Sequence, residues 1–146
     1  MSSDRIMAEE PIEKKITRIL IHRKMTVTAA ESCTGGLVAG TLVNADGISE
    51  VFKESYVTYS NEAKHKLLGV KKETLEKYGA VSRQTAAEMA EGAVRAAGAD
   101  ASVVTTGVAG PGGGTEEKPV GLVYIGCCVK GCTIVKRCFY GGGGPG

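Results

Sequence analysis

The chain alternates between apolar positions spaced as in helices and short apolar runs that are typical of buried strands. From Pro11 to Lys24 the apolar residues recur every three or four positions, which predicts an amphipathic helix. Pro11 stands near its start, where a missing N–H costs nothing. The same periodicity, bounded by glycines and capping residues, predicts four further helices. These helices are Gly35–Val43, Asn61–Gly69, Lys71–Tyr78 and Ser82–Ala97.

Five β-rich runs alternate with these helices and then close the sequence. The predicted strands are Thr26–Ala30, Val51–Tyr59, Ala101–Thr106, Val120–Val129 and Cys132–Tyr140. Lys130–Gly131 between the last two is a hairpin signal. This order predicts an α/β fold, a three-layer α/β/α domain with a mixed sheet and a C-terminal β-hairpin. A length of 146 residues suits a single domain spanning 1–146, with about 1–10 and 141–146 as flexible ends.

Charge and cysteine content narrow the functional class. The formal net charge is +2, too small and too evenly spread to favour a nucleic-acid or membrane surface. No apolar run approaches the ~20 residues of a membrane span, and the polar start does not resemble a secretory signal. Five cysteines are an odd number, and four crowd between Cys127 and Cys138. This usage favours the reducing cytoplasm over a secreted disulfide framework.

The first candidate for chemistry is the turn Ala30–Gly36, where a predicted strand runs into a helix through small residues. Ser32 would lie at the carboxyl end of a strand, and backbone N–H groups at the helix start could hold an oxyanion. Alternatively, Ser32 or Thr34 only caps the helix, as Ser and Thr often do. Cys33 is a rival nucleophile, although a buried structural thiol is commoner. The substrate contacts predicted here are Cys33, Thr34, Gly35 and Gly36.

Lys64 is the second candidate. If Ser60 or Asn61 caps the following helix, Lys64 falls in its first turn, where the helix dipole repels a cation. That position favours the neutral amine, which a lysine general base requires. The alternative is a solvated surface lysine. Tyr59 could hydrogen-bond at the same site, although a strand tyrosine more often serves packing.

A glycine-rich loop, Gly107–Thr115, directly follows a predicted buried strand. Backbone without side chains can approach a ligand closely, and successive N–H groups form an anion-binding concavity. The loop has neither the lysine of a Walker A motif nor dinucleotide glycine spacing. A flexible surface loop is the alternative, but its place at a strand end favours a ligand loop. The predicted substrate contacts are Thr106, Gly107, Gly110, Gly112 and Gly113.

The clustered cysteines predict packing and not a metal site. With a two-residue turn at Lys130–Gly131, three thiols would share one sheet face. These are Cys127, Cys132 and Cys138. The sequence contains no Cys-x-x-Cys pair, and both histidines are remote in sequence. We therefore expect core-facing thiols and no metal.

Four motifs occur in a fixed order along the chain: Ala30–Gly36, Tyr59–Lys64, Gly79–Ser82, and Thr106–Thr115 followed by Lys118–Gly121. Together they resemble the CinA C-terminal domain, the nicotinamide-nucleotide amidase family, from about Ile12 to Phe139. The resemblance implies an enzyme without metal or cofactor. Its reaction would convert nicotinamide mononucleotide, a small-molecule nucleotide, to nicotinate mononucleotide and ammonia in pyridine nucleotide salvage.

Carried over by motif, the resemblance implies that Ser32 is the nucleophile, Lys64 its base and Tyr59 a hydrogen-bonding partner. A Ser–Lys pair suits amide hydrolysis, because the neutral amine can take the hydroxyl proton and return it to the leaving ammonia.

The chain departs from the family pattern at two places. Lys53–Ser55 stands where the family has small glycines. After Tyr140, glycines and a proline replace a Gly-Asp-Arg-type stretch and a closing helix. Arg137 precedes that segment and is not equated with the family's arginine. A missing helix would leave apolar surface for a second subunit, which predicts a homo-oligomer. The alternative function is a catalytically impaired nucleotide-binding or partner-binding module.

Overall fold

The computed structural model describes residues 10–141, so the predicted flexible ends lie almost wholly outside the described residues. The helices are α1 Ile12–Arg23, α2 Leu37–Leu42, α3 Asn61–Leu68, α4 Lys72–Tyr78 and α5 Arg83–Ala97. The strands are β1 Val27–Glu31, β2 Tyr56–Val57, β3 Ala101–Gly107, β4 Leu122–Val129 and β5 Cys132–Phe139. A 3-10 turn, Ile48–Glu50, precedes β2.

The strands form one five-stranded sheet in the order β2-β1-β3-β4-β5. β2 and β3 both pair with β1 in parallel, whereas β4 runs antiparallel to β3 and β5 antiparallel to β4. The last two strands form a hairpin around Lys130–Gly131, as predicted. This arrangement brings the carboxyl ends of β1, β2 and β3 to one edge of the sheet. Residues after those three strands therefore meet there.

Helices pack on both faces of the sheet, because successive strand residues point to opposite sides. Ala30 and Val104 contact a core that includes Leu68 of α3, Leu75 of α4 and Met89 of α5. On the other face, Val27 and Ala101 pack with Leu20 of α1 and Leu42 of α2. The predicted three-layer α/β/α fold with a mixed sheet is confirmed.

Helices α3 and α5 approach each other closely at Gly92, which has no side chain to hold them apart. A Cβ atom there would lie 1.9 Å from the Leu68 carbonyl oxygen of α3. We therefore expect Gly92→Ala to force the helices apart and lower the free energy of unfolding by about 1–3 kcal/mol. Urea denaturation measures this loss.

Gly40→Ala is the matched control, because Gly40 is also helical and nothing lies within 4 Å of its added Cβ. Alanine favours helix over glycine by about 1 kcal/mol, so this variant should be as stable as wild type or slightly more stable. Equal stability of the two variants would show that the close approach at Gly92 carries no packing constraint.

Two predicted elements are shorter than expected. Val51–Tyr59 is predicted as one strand, but only Tyr56–Val57 forms a ladder with β1, and Phe52 adds an isolated bridge to Val27. The polar residues Lys53–Ser55 lie between these two pairings and interrupt the strand. Helix α2 begins at Leu37 and not at Gly35. Both Gly35 and Gly36 have positive φ, of 58° and 113°, which an α-helix does not allow.

The expectation of core-facing thiols is wrong for most of the cluster. The strand register places Cys127, Cys132 and Cys138 on one face of the hairpin, as predicted. Cys132 is nevertheless exposed, and the other two are half-buried. Cys128, on the opposite face, is the thiol packed beneath α5. The difference arises because α1 packs on the same face of the sheet as these thiols but does not reach β5, and no other helix in residues 10–141 covers β5 on that face.

An apolar groove of about 540 Å³ lies beside this uncovered face. Its lining includes Ile12 and Ile16 of α1, Leu37 of α2, and Cys127 and Val129 of β4. Ile134 of β5 is also exposed nearby on this side of the sheet. The homo-oligomer inferred from such a surface stays a prediction. No helix in residues 10–141 has the length and apolar character of a membrane span.

Candidate active site

Ser32 and Lys64, which are 32 positions apart in sequence, form a direct hydrogen bond. Lys64 Nζ lies 3.0 Å from Ser32 Oγ and donates to the Thr58 carbonyl oxygen at 2.9 Å. Ser32 directly follows β1, Thr58 directly follows β2, and Lys64 lies in the first turn of α3. Ser60 caps that helix by accepting from the Ala63 N–H at 3.0 Å, which confirms the predicted start. The sheet edge and the capped helix thus bring the pair together.

The pair is almost completely shielded from solvent: Ser32 is 7 % exposed and Lys64 is 1 % exposed. Burial lowers the pKa of the Lys64 ammonium and outweighs the nearby Cys33 thiol, which acts in the opposite direction. No carboxylate pairs with Lys64 among residues 10–141 to compensate for a buried charge. These surroundings favour the neutral amine, whose lone pair can accept the Ser32 hydroxyl proton.

Glu31, the last residue of β1, holds the turn that carries Ser32. Its carboxylate accepts hydrogen bonds from the N–H groups of Gly36 at 3.1 Å, Val38 at 2.9 Å and Ala39 at 2.9 Å. The Thr34 hydroxyl is a fourth donor. Burial alone would raise the pKa of this carboxyl, but the four hydrogen bonds together bring it below its usual value. The carboxylate is therefore ionised at neutral pH.

The same contacts decide which backbone donors are available beside Ser32. The Gly35 N–H donates to the Ser32 carbonyl oxygen at 3.1 Å, and the Gly36 N–H donates to Glu31. The N–H groups of Cys33 and Thr34 have no oxygen acceptor within the described range 10–141. An oxyanion formed next to Ser32 Oγ would thus have these two donors to approach. The glycine N–H groups are already engaged.

Cys33 differs from Ser32 in its surroundings. Its thiol is half-buried, and burial raises its pKa. A raised pKa disfavours the thiolate, which is the nucleophilic form of cysteine. Ser32, and not Cys33, forms the hydrogen bond with Lys64. The geometry favours the serine.

The remaining predicted residues separate into packed and open positions. Tyr59 is 71 % exposed, and among the described contacts its hydroxyl bonds neither Ser32 nor Lys64. The buried Thr106 hydroxyl donates to the Ala80 carbonyl oxygen at 2.7 Å. A substrate contact from Thr106 would have to displace that bond.

The glycines of the loop also divide into two kinds. A Cβ at Gly107 would lie 2.6 Å from the Leu122 carbonyl oxygen, and one at Gly110 would lie 2.3 Å from Val120 Cγ1. These two glycines allow close packing within the fold. Gly112 and Gly113 are exposed, with nothing within 4 Å of an added Cβ. They are the loop positions open to a ligand.

Sequence reasoning missed three polar residues of the site: Glu31, Thr58 and Thr105. Glu31 had a local signal, an acidic residue shortly before a helix start. Thr58 and Thr105 are recognisable only once the strands are aligned. Thr58 Oγ1 is buried and has no hydrogen-bond partner in the part of the chain described, although the Thr58 carbonyl oxygen holds Lys64. Over the same residues, no three His, Cys, Asp or Glu side chains form a metal-binding group.

Comparisons with known proteins agree with this architecture. In sequence, the chain is 62 % identical over 129 residues to a putative competence-damage inducible protein of Clostridium perfringens, covering 88 % of this chain and 31 % of that protein. A similarly named protein of Clostridium acetobutylicum is 62 % identical over 131 residues, covering 90 % and 32 %. The chain thus spans about a third of the length of these relatives.

Solved structures match over most of both chains. The competence/damage inducible protein CihA of Agrobacterium tumefaciens has a TM-score of 0.83 at 44 % identity, covering 92 % of this chain and 85 % of that one. A competence-damaged protein (CinA) superfamily protein of Escherichia coli has a TM-score of 0.84 at 38 % identity, covering 88 % and 74 %. The CinA C-terminal domain profile matches residues 9–144. The chain therefore belongs to the CinA C-terminal domain family.

Proposed function

We propose that this chain is an amidohydrolase that deamidates nicotinamide mononucleotide to nicotinate mononucleotide and ammonia by a Ser–Lys mechanism. The observation that carries the proposal is the 3.0 Å contact between Ser32 Oγ and Lys64 Nζ at a sheet edge. A serine hydroxyl beside a lysine with a lowered pKa is an activated nucleophile, because the neutral amine can take its proton. The choice of substrate rests on the resemblance of the four ordered motifs to the nicotinamide-nucleotide amidases.

In the first half of the reaction, Ser32 Oγ attacks the carboxamide carbon as its proton passes to Lys64 Nζ. The Thr58 carbonyl oxygen holds the lysine in place during this transfer. The tetrahedral oxyanion would be stabilised by the N–H groups of Cys33 and Thr34, which donate to no oxygen atom of residues 10–141. Lys64 then returns the proton to the amide nitrogen, the C–N bond breaks, and ammonia leaves an acyl ester on Ser32.

In the second half, a water molecule attacks the acyl ester and gives one proton to Lys64. The C–O bond to Ser32 breaks, Ser32 Oγ recovers that proton, and the nicotinate group leaves as a carboxylic acid, which ionises by giving its remaining proton to solvent. The exposed Gly112 and Gly113 would let the loop backbone approach the nucleotide part of the substrate. In this proposal Lys64 Nζ takes part in every proton transfer before the released acid ionises, exchanging protons with Ser32 Oγ, with the amide nitrogen of the substrate and with water.

The direct test incubates the purified chain with nicotinamide mononucleotide and measures released ammonia together with nicotinate mononucleotide. We expect the two products in equal amounts and at an unchanged rate with a chelator present, because no described residue of the proposed mechanism requires a metal. Nicotinamide and other pyridine amides, run in parallel, define the substrate range.

The same assay separates the two candidate functions. A chain that binds nicotinamide mononucleotide, for example by calorimetry, but releases no ammonia would be a nucleotide-binding module and not an amidase. Inactivation by the chelator, reversed by zinc, would contradict the Ser–Lys mechanism. The alternative module becomes the better description only if binding persists without turnover.

A further inference from the structure

Glu31 is unusual because a fully buried carboxylate ends a strand beside the proposed nucleophile without contacting Lys64. It is 1 % exposed, and its four hydrogen-bond donors all belong to the segment that immediately follows Ser32. Ser32 is thus bonded directly to Glu31, the residue whose carboxylate is held by the following turn and helix. A carboxylate bound by several N–H groups has a fixed position, because each charge-assisted bond adds a directional constraint.

The hydrogen bonds extend beyond the turn into the neighbouring strand. Thr34 Oγ1 lies 2.8 Å from Thr105 Oγ1 of β3, and the Ser32 N–H donates to the Thr105 carbonyl oxygen at 3.0 Å. The ionised Glu31 can only accept, so the Thr34 hydroxyl proton points to Glu31 and the Thr105 hydroxyl donates to Thr34. Ser32 is thus tied to β3 through its own backbone and through Glu31.

We propose that Glu31 is a positioning residue for Ser32: its buried carboxylate fixes the turn from 32 to 36, so that Ser32 Oγ stays against Lys64 and the N–H groups of Cys33 and Thr34 stay without an oxygen acceptor. This inference rests on the proposed role of Ser32 as nucleophile. Glu31 is buried and all four of its donors lie in residues 34–39, so it acts through the turn and not on the substrate. Its loss should lower kcat and leave KM nearly unchanged.

The experiment measures covalent labelling of Ser32 by a fluorophosphonate ester, a reaction independent of the amide substrate. Ser32 Oγ bonds to phosphorus, fluoride leaves, and the serine proton passes to Lys64. We expect Glu31→Gln to slow labelling about 10- to 100-fold, because misplacing a reacting group by about 1 Å costs rates of that order. Thr34→Val, which removes one donor to the carboxylate, should slow labelling to a smaller degree.

Glu88→Gln is the matched control. Glu88 also organises a helix start through a carboxylate, accepting from the Lys71 N–H at 2.9 Å and from Thr74 Oγ1 at 2.6 Å, but at α4. It should label at the wild-type rate even if it is less stable. The apparent pKa of labelling should stay unchanged in Glu31→Gln, since Glu31 does not pair with Lys64.

The outcomes distinguish the role of Ser32 as nucleophile from the positioning role of Glu31. A wild-type chain that is not labelled at Ser32 would overturn the proposed nucleophile. Normal labelling of wild type and of both Glu31→Gln and Thr34→Val would overturn the positioning role and leave the Ser–Lys pair standing. If Glu31→Gln does not fold, Thr34→Val decides: slowed labelling relative to Glu88→Gln supports the proposal, and the wild-type rate contradicts it.

Discussion

Replacing Lys64 by methionine is expected to lower the rate of ammonia release by about 10²- to 10⁴-fold, the usual contribution of a general base. Methionine fills a similar volume but cannot accept the Ser32 proton. Lys64→Arg should be nearly as inactive, because a guanidinium keeps the positive charge and hardly ever deprotonates. Assays at saturating substrate keep weakened binding from being mistaken for lost chemistry.

The wild-type rate should rise with pH through an apparent pKa below the ~10.4 of a free lysine, because burial lowers the pKa of Lys64.

The free energy of unfolding should also depend on pH for the same reason. Between the lowered folded pKa and ~10.4 the unfolded chain binds a proton that the folded chain does not, so the wild-type free energy of unfolding rises with pH in that window. Lys64→Met lacks this rise, so any stability advantage it has over wild type should shrink as pH increases.

Lys66→Met is the control for both measurements, because Lys66 lies on the same helix but is exposed. It should retain activity and the wild-type dependence of stability on pH. Robust turnover by Lys64→Arg would leave Ser32 without its proposed base. A pH–stability curve of Lys64→Met that parallels wild type would show that Lys64 is not held neutral in the fold.

Ser32→Ala is expected to abolish turnover, with a loss on the order of 10⁴-fold or more, as for a catalytic serine that acts as one unit with its base. The fold should survive. Ser32 Oγ caps no helix, and its removal costs Lys64 one of two hydrogen-bond partners, a change of about 1–3 kcal/mol at most. Circular dichroism and urea denaturation establish that the variant is folded, and ammonia release measures its activity.

Cys33→Ala is the neighbouring control, and it should remain active because the thiol does not hydrogen-bond Lys64. If Cys33→Ala were inactive while Ser32→Ala worked, the nucleophile would be the thiol. Comparable turnover in Ser32→Ala and wild type would contradict a serine mechanism altogether.

Local sequence signals predict most of the helices and strands, and they predict the surroundings of Lys64 but not its contact with Ser32. Ser60 as a cap predicts the first turn of α3, and hence the dipole environment of Lys64, because capping depends on residues three or four positions apart. The contact with Ser32 depends on the parallel pairing of β1 with β2, which no local periodicity encodes. The resemblance of the four ordered motifs to the family implies the Ser32–Lys64 pair, and the structure brings the two side chains into contact.

The errors have the same origin in long-range structure. β propensity predicts one strand through Val51–Tyr59, but its pairing with β1 is interrupted at the polar residues Lys53–Ser55 and continues on both sides of them. The thiols of the hairpin were expected in a core because three share a face. A face is buried only where another element covers it, and β5 has no cover on that side within residues 10–141. The sequence analysis missed the hydrogen bonds of Glu31, because they depend on how the end of β1 is oriented relative to the turn and helix that follow it.

The shortness of β2 has a consequence for the motions of the molecule. Only two residues pair this edge strand with β1, and Thr58, which follows it, links the strand to the lysine. Edge segments with few backbone bonds open locally at a fraction of the free energy of global unfolding. We expect excursions at this edge to uncover the shielded Ser32 while β1 and β3, paired over five residues, stay closed. Such an opening would also release Lys64 from the Thr58 carbonyl oxygen, so an open Ser32 and a fully held lysine exclude each other.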